Sequence, residues 1–238
     1  MQLTRRSLLA GVATLTGVAA LGGCSARNET PATQSGTGSA EKSTSGTTTE
    51  TQKPSADAPA TNGGTQSKVL VAYYSRAGEN YAGGGKEWLE VGHTKVMAGY
   101  IAEALGADTY EIVPSTAYPT GYDECCDVAK QEQQADARPA IANALPDVSA
   151  YDTVFIGCPI WWGDEPMIVR TFTGGVDLSG KTVVPFTTHG GSGLGNVPSN
   201  LREQISGAKF LDGHAVSGVA VDGARDEVTA WAKGLGIA

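Results

Sequence analysis

The sequence predicts an α/β fold, a doubly wound parallel sheet with helices on both faces, and three features of the 238-residue chain carry that reading. Short, nearly continuous apolar runs recur, as expected of strands covered on both faces. Segments with helical apolar spacing alternate with those runs, which calls for parallel strands joined by crossover helices. The most distinctive loops all follow strands, at the end where ligands of open parallel sheets bind.

The folded part begins at Lys68, and Val69 to Tyr74 reads as its first strand. Further strands are expected at Asp108 to Val113, Thr153 to Cys158, Thr182 to Thr188 and Phe210 to Val216. Between the first two, Thr94 is placed to cap a helix whose residues Met97, Tyr100, Ile101, Ala104 and Leu105 share one face. Tyr122 to Arg138 reads as a polar helix rich in Gln and Ala. Pro166 to Phe172 and Pro198 to Ile205 carry proline near a helix start, and Ala224 to Leu235 closes the chain. No internal repeat is visible.

Residues 1–67 follow different rules. Thr4-Arg5-Arg6-Ser7-Leu8-Leu9 opens an apolar run ending at Leu21-Gly22-Gly23-Cys24, a pattern that resembles a twin-arginine export signal (1–23) joined to a lipoprotein cleavage box. The run of about 14 residues is shorter than the roughly 20 that span a bilayer. Cys24 is therefore expected to carry lipid and to hold the protein on the extracytoplasmic face of the cell membrane. Residues 24–67 are rich in Ser, Thr, Gly, Ala and Pro and hold almost no large apolar side chain, so they are expected to be a disordered tether. A flexible linker of that length spans roughly 35 to 40 Å. Residues 68–238 form the expected folded domain.

The formal charge of −8 becomes about −10 when Arg5 and Arg6 leave with the leader. Such a balance argues against nucleic acid and anionic lipid as partners and leaves a basic-faced protein open. Cysteine spacing fits neither zinc nor a disulfide framework. Cys158 ends a strand, and the adjacent Cys125 and Cys126 are read as ordinary thiols without a role. No metal site is expected.

Three loops carry the chemistry. The first is Ser75-Arg76-Ala77-Gly78-Glu79-Asn80-Tyr81. The second is Cys158-Pro159-Ile160-Trp161-Trp162-Gly163-Asp164-Glu165, where each tryptophan offers roughly 200 Å² of apolar surface that something planar, or the core, must cover. The third is Thr188-His189-Gly190-Gly191-Ser192-Gly193-Leu194-Gly195. His189 and Ser192 raise the question of a hydrolase. The Gly-x-Ser-x-Gly spacing of a nucleophile elbow is missing, because Leu194 stands where the last glycine belongs. A dinucleotide fingerprint fails too, since Pro198 occupies a required glycine position.

With Pro159 to Gly163 and Thr188 to Gly195 in place, Lys68 to Ala238 resembles the flavodoxin-like proteins that carry Pro-Ile-Trp-Trp-Gly and Thr-His-Gly-Gly-Ser-Gly-Leu-Gly. The resemblance implies a flavodoxin-like five-stranded sheet in the order 2-1-3-4-5, with flavin mononucleotide (FMN) held noncovalently at the strands' carboxyl ends. It assigns the phosphate to the first loop and a helix start, through Ser75, Arg76, Ala77, Gly78, Asn80, Tyr81, His93 and Thr94. Ala77 replaces a hydroxyl residue of shorter relatives, an insertion from about Asn80 to Gly92 interrupts the loop, and His93 stands where Asn is usual. His93 either donates to the phosphate or caps the helix. The isoalloxazine ring falls to Pro159, Ile160, Trp161, Trp162, Gly163 and Asp164, with one tryptophan stacking, and to the close backbone of His189, Gly190, Gly191, Ser192 and Gly193. Gly163-Asp164 resembles a turn whose peptide reorients toward the reduced flavin, and Asp164 and Glu165 would disfavour negative charge there. Asp164 read alone is equally a helix cap before Pro166.

Three functions follow as expectations. The first is an electron carrier working with redox partner proteins that have a basic face. The second is an NAD(P)H-dependent flavin or quinone reductase whose 80–92 insertion lids a second ligand site. The third is a tethered binding module without flavin.

Overall fold

The computed structural model describes residues 68–81 and 83–237; the expected export signal, Cys24 and the tether lie outside them. The central strand β1 (Val69–Tyr73) is buried at every position. It pairs in parallel with β4 (Asp108–Glu111) on one side and β5 (Thr153–Pro159) on the other. Beyond β5 lies β6 (Thr182–His189), and beyond β6 the short β7 (Lys209–Phe210) and β8 (His214–Ser217), all parallel. Strand order is β4-β1-β5-β6-β7, with β8 also on β6. Counting β7 and β8 as one broken strand, this is the expected order.

The break corrects the single strand expected over Phe210 to Val216. The Val183 carbonyl accepts from the Leu211 amide at 3.1 Å. Two residues on, Pro185 faces the same neighbour, because peptide groups of one strand alternate sides. Proline has no N–H to give, so the ladder stops and resumes at Phe186 opposite His214.

Side chains of β1 alternate between two cores. Val69, Val71 and Tyr73 join Met97, Ala98 and Ile101 of α1 (His93–Leu105) and Val228 and Ala232 of α5 (Arg225–Gly234). Leu70, Ala72 and Tyr74 join Ile168, Val169 and Phe172 of α3 (Met167–Gly175) and Val197 and Leu201 of α4 (Val197–Gln204). Both faces are thus covered, and the remaining helix α2 (Tyr122–Gln134) buries Cys125 and Ala129. It ends four residues before the expected Arg138.

The insertion folds as an antiparallel hairpin of β2 (Gly78–Tyr81) and β3 (Lys86–Leu89), pairing Glu79 with Trp88 and Tyr81 with Lys86. It is anchored to the first turn of α2. The Tyr122 amide donates to Glu79 Oε2 at 3.0 Å, and Lys86 Nζ meets Asp123 at 2.7 Å. No described helix is long and apolar enough to cross a membrane.

Gly157, paired with Phe186 across β5 and β6, has no room for a side chain, because a Cβ there would penetrate the Phe186 ring. Gly157→Ala is expected to cost roughly 3 kcal/mol through overpacking, measured as a fall in urea midpoint with an unchanged slope.

Candidate functional site

A cleft of about 580 Å³ opens at the carboxyl ends of β1, β5 and β6, where the strand order reverses. Its first wall is the loop after β1 and the start of α1. The chain turns so tightly here that a Cβ on Gly92 would overlap both Ser75 Oγ and the Arg76 carbonyl. Gly92, rather than Thr94, caps α1, with extended backbone and no side-chain bond. Ser75 Oγ replaces the missing cap by accepting from the Lys95 amide at 3.0 Å. Thr94 is buried and shares a 2.7 Å hydrogen bond with Thr188, tying the helix to the end of β6. The amides of His93 and Thr94 have no intrahelical acceptor by position, so this end of the cleft presents donors and the positive end of a helix. His93 Nε2 lies 3.4 Å from Glu87 of the hairpin.

Arg76 spends its guanidinium on the hairpin base, donating from Nη1 to the Glu79 carbonyl at 3.0 Å. Its Nε is buried and has no partner. Asn80 lines the cleft but directs Nδ2 to the Gly78 carbonyl at 3.0 Å.

The second wall resolves the two tryptophans. Trp161 packs against the core beneath the cleft, its ring edge-on to Tyr74 (5.5 Å) and Tyr118 (5.0 Å). Trp162 is 53% exposed and lies against α2, its Nε1 donating to the Cys126 carbonyl at 2.9 Å and Lys130 Nζ standing 4.3 Å from its ring centre. The turn between Trp161 and Asp164 is closed by reciprocal backbone bonds of 2.9 and 3.0 Å. Trp162 (φ 52°) and Gly163 (φ 89°) both take positive φ, the conformation of a two-residue hairpin turn. Such a φ is unfavourable for tryptophan, by roughly 1–2 kcal/mol.

Asp164 and Glu165 are absent from the cleft lining and turn their carboxylates into contacts with the helices behind it. Asp164 accepts from Gln133 (2.6 Å), Asn196 (2.9 Å) and Asn200 (3.1 Å). Partial burial works to raise its pKa, but these bonds and Arg170 outweigh it and hold the carboxyl below the usual range. Glu165, 2% exposed, accepts from Arg170 Nε (2.8 Å), Gln204 (2.7 Å) and Asn200 (2.9 Å). Its charge is neutralised inside the fold.

On the third wall, His189 Nδ1 accepts from the Gly191 amide at 2.9 Å, so the neutral ring carries its proton on Nε2. Burial lowers its pKa from 6.5. Gly190 packs on Tyr81, joining this loop to the hairpin.

Of the residues singled out from sequence, Ser75, Arg76, Asn80, Tyr81, His93, Thr94, Pro159, Ile160, Trp161, Trp162, Gly163, His189, Gly190 and Ser192 meet in the cleft lining. Ala77, Gly78, Asp164, Gly191 and Gly193 fall outside it. Gly78 packs on the Thr120 backbone and the Gly193 carbonyl accepts from Thr187 Oγ1 of β6. A fourth wall had no sequence signal, because α2 is polar and carries no motif. It contributes Tyr122, Asp123, Cys125 and Cys126. The two cysteines are free thiols. Burial pushes the Cys125 thiol up to about 11, so it is protonated and unreactive at neutral pH. No metal-ligating cluster occurs among the described residues.

A doubly wound sheet with a cleft at its reversal point defines an α/β protein built to bind one ligand across the strand ends. The chain belongs to the flavodoxin family, whose profile matches residues 68–235. It is similar to a candidate flavoprotein from Bacteroides eggerthii at 32% identity, covering 68% of this chain and 98% of the other with a TM-score of 0.54. A second candidate flavoprotein, from Bacteroides uniformis, shares 31% identity over 71% of this chain and 99% of the other, with a TM-score of 0.57. No curated protein matches the chain.

Two outcomes follow from this geometry. Gly92→Ala should lower stability by roughly 1–3 kcal/mol, read by thermal melting, because the Ser75 loop must move to admit the methyl group. In an NMR titration of the protein's three histidines, His189 should titrate with a midpoint below 6.5 and be neutral at pH 7; a midpoint at or above 6.5 would contradict its burial.

Proposed function

We propose that the domain binds FMN noncovalently in this cleft and serves as an electron carrier. The observation that carries the reading is the convergence of three separate loops at the reversal point into one cleft with a donor-rich end and an aromatic floor. The volume lies within the several-hundred-Å³ range of small-molecule and cofactor sites. Bound FMN would supply reversible one- and two-electron redox chemistry.

The residues present fit that group. The His93 and Thr94 amides suit a phosphate, and Ser75 Oγ, which accepts from the Lys95 amide, keeps its own O–H free to donate to one. Trp161, fixed edge-on by Tyr74 and Tyr118, and Trp162, fixed by Cys126 and Lys130, offer apolar wall to a flat ring. His189 keeps a neutral Nε2–H available as a donor. The half-exposed Trp162 leaves one edge of the site open to a partner protein, and the acidic surface favours a partner with a basic face.

The hairpin wall favours one alternative. Tyr81 and Tyr122, 6.2 Å apart, together with Leu89 widen the cleft toward α2, space that a reductase would use for nicotinamide or quinone. Export and lipid attachment belong to the same proposal, supported by the Arg5-Arg6 and Cys24 pattern. The tether would let the domain search for membrane-associated partners.

The purified protein should take up FMN and show flavin absorbance, then accept electrons in two resolvable steps under anaerobic titration. A single two-electron step with steady turnover of reduced nicotinamide would favour the reductase, and a protein that stays colourless with added FMN would leave the binding module. Cys24→Ala should release the protein from the membrane fraction; an unchanged distribution would exclude lipid anchoring at that residue.

A further inference from the structure

The cleft extends beyond the three strand-end loops, into a corner between the hairpin and α2. Tyr81, Leu89, Tyr122, Asp123, Cys126 and Asp127 line it there. The Tyr81 and Tyr122 rings stand 6.2 Å apart at 36°, an apolar angle against which a flat ring can rest. Tyr81 is 46% exposed although it lines a cavity and touches Gly190, so its ring has surface left for a ligand to cover.

The charges around this corner carry one sign. Asp123 and Asp127, one helical turn apart on α2, both line the cleft. The neighbouring cations do not. Lys86 Nζ is committed to Asp123 at 2.7 Å and Glu79 at 3.6 Å, and Lys130 Nζ stands over the Trp162 ring. Arg76 is the one lysine or arginine of the lining among the described residues, and it gives its guanidinium to the Glu79 carbonyl at the hairpin base. Asp127 is exposed and has no hydrogen-bond or ion-pair partner among the described residues. Bound FMN would add to the imbalance, since a phosphate monoester carries about −1.5 to −2 at neutral pH. A nicotinamide dinucleotide would bring its own phosphates to an acidic wall that has no uncommitted cation to meet them.

We propose that the corner between the hairpin and α2 is a second-ligand subsite for a planar organic ring that is uncharged or cationic, a quinone for example, and that Asp127 sets its preference against anions. This rests on the flavin reading and narrows its reductase alternative. A ring acceptor can dock beside the flavin, whereas electrons must reach the flavin from a partner protein and not from bound nicotinamide.

The test uses the intact protein loaded with FMN and three naphthoquinones that share one ring system and carry a trimethylammonium group, no charge, or a sulfonate. Binding is read by quenching of tryptophan fluorescence. At low salt the ammonium probe should bind most tightly and the sulfonate most weakly, about tenfold apart, as befits partly screened charges. NADH should bind no better than the sulfonate. Asp127→Asn should narrow the spread about threefold, the scale of one exposed charge pair, and Asp127→Lys should narrow it further. Added salt should compress it in the unaltered protein. Glu203→Gln removes an exposed acid of α4 outside the cleft and should leave the spread unchanged, which separates a local charge from the net charge. Tyr81→Ala should weaken all three probes alike.

Sulfonate or NADH binding as tightly as the ammonium probe, a spread indifferent to Asp127→Lys, or probe affinities untouched by Tyr81→Ala would each overturn the proposal while leaving FMN uptake intact. Unaltered protein that takes up no FMN would overturn the flavin reading itself, and this subsite with it.

Discussion

Everything in this domain depends on the two-sided burial of one strand. β1 is apolar at all five positions, so its alternate side chains need separate cores, and helices must cover both faces. Right-handed crossovers then carry the chain to β4 on one side of β1 and to β5 and β6 on the other. The loops after β1 and β5 leave in opposite directions, and a crevice remains between them. The cleft is a consequence of covering the strand.

What gives that crevice a fixed shape is a second layer of polar contacts behind it. Ser75 caps a helix that begins 18 residues later, Thr94 joins Thr188 across two loops, and Asp164 and Glu165 tie the aromatic turn to α2, α3 and α4. Each of these groups is satisfied by the fold rather than by water, so the walls have little freedom to collapse. Side chains that the resemblance would offer to a ligand, Ser75 and Thr94, thus also hold the site together.

The inserted hairpin changes the outline of the site without changing the sheet. Its base is clamped by Arg76 and Asn80, its face rests on Tyr122 and Asp123, and Tyr81 meets the third loop at Gly190. α2 is thereby drawn in as a fourth wall, with Trp162 laid across it through Cys126 and Lys130. Cys125 and Cys126 enter the lining as passengers of that helix.

Local pattern sufficed for β1, β4, β5 and β6, for the helix carrying Met97 and Ile101, and for the three loops, because burial writes a period of two or 3.6 into the chain, whereas the exposed β2–β3 hairpin left no such mark. The break between β7 and β8 was not legible, since it depends on which neighbour Pro185 faces in the sheet. The same holds for Trp161 and Trp162, adjacent and alike in sequence, of which one enters a core with Tyr74 and Tyr118 and the other lies on α2. Asp164 and Glu165 looked like charges beside a ligand, yet their partners Gln133, Asn196, Asn200, Arg170 and Gln204 come mostly from segments more than 30 residues away. The sequence by itself determined the α/β class, the order of elements and the loops that meet at the strand ends, because those follow from local periodicity. Only the tertiary structure decided which of their side chains face the cleft, because that turns on hydrogen bonds between groups distant along the chain.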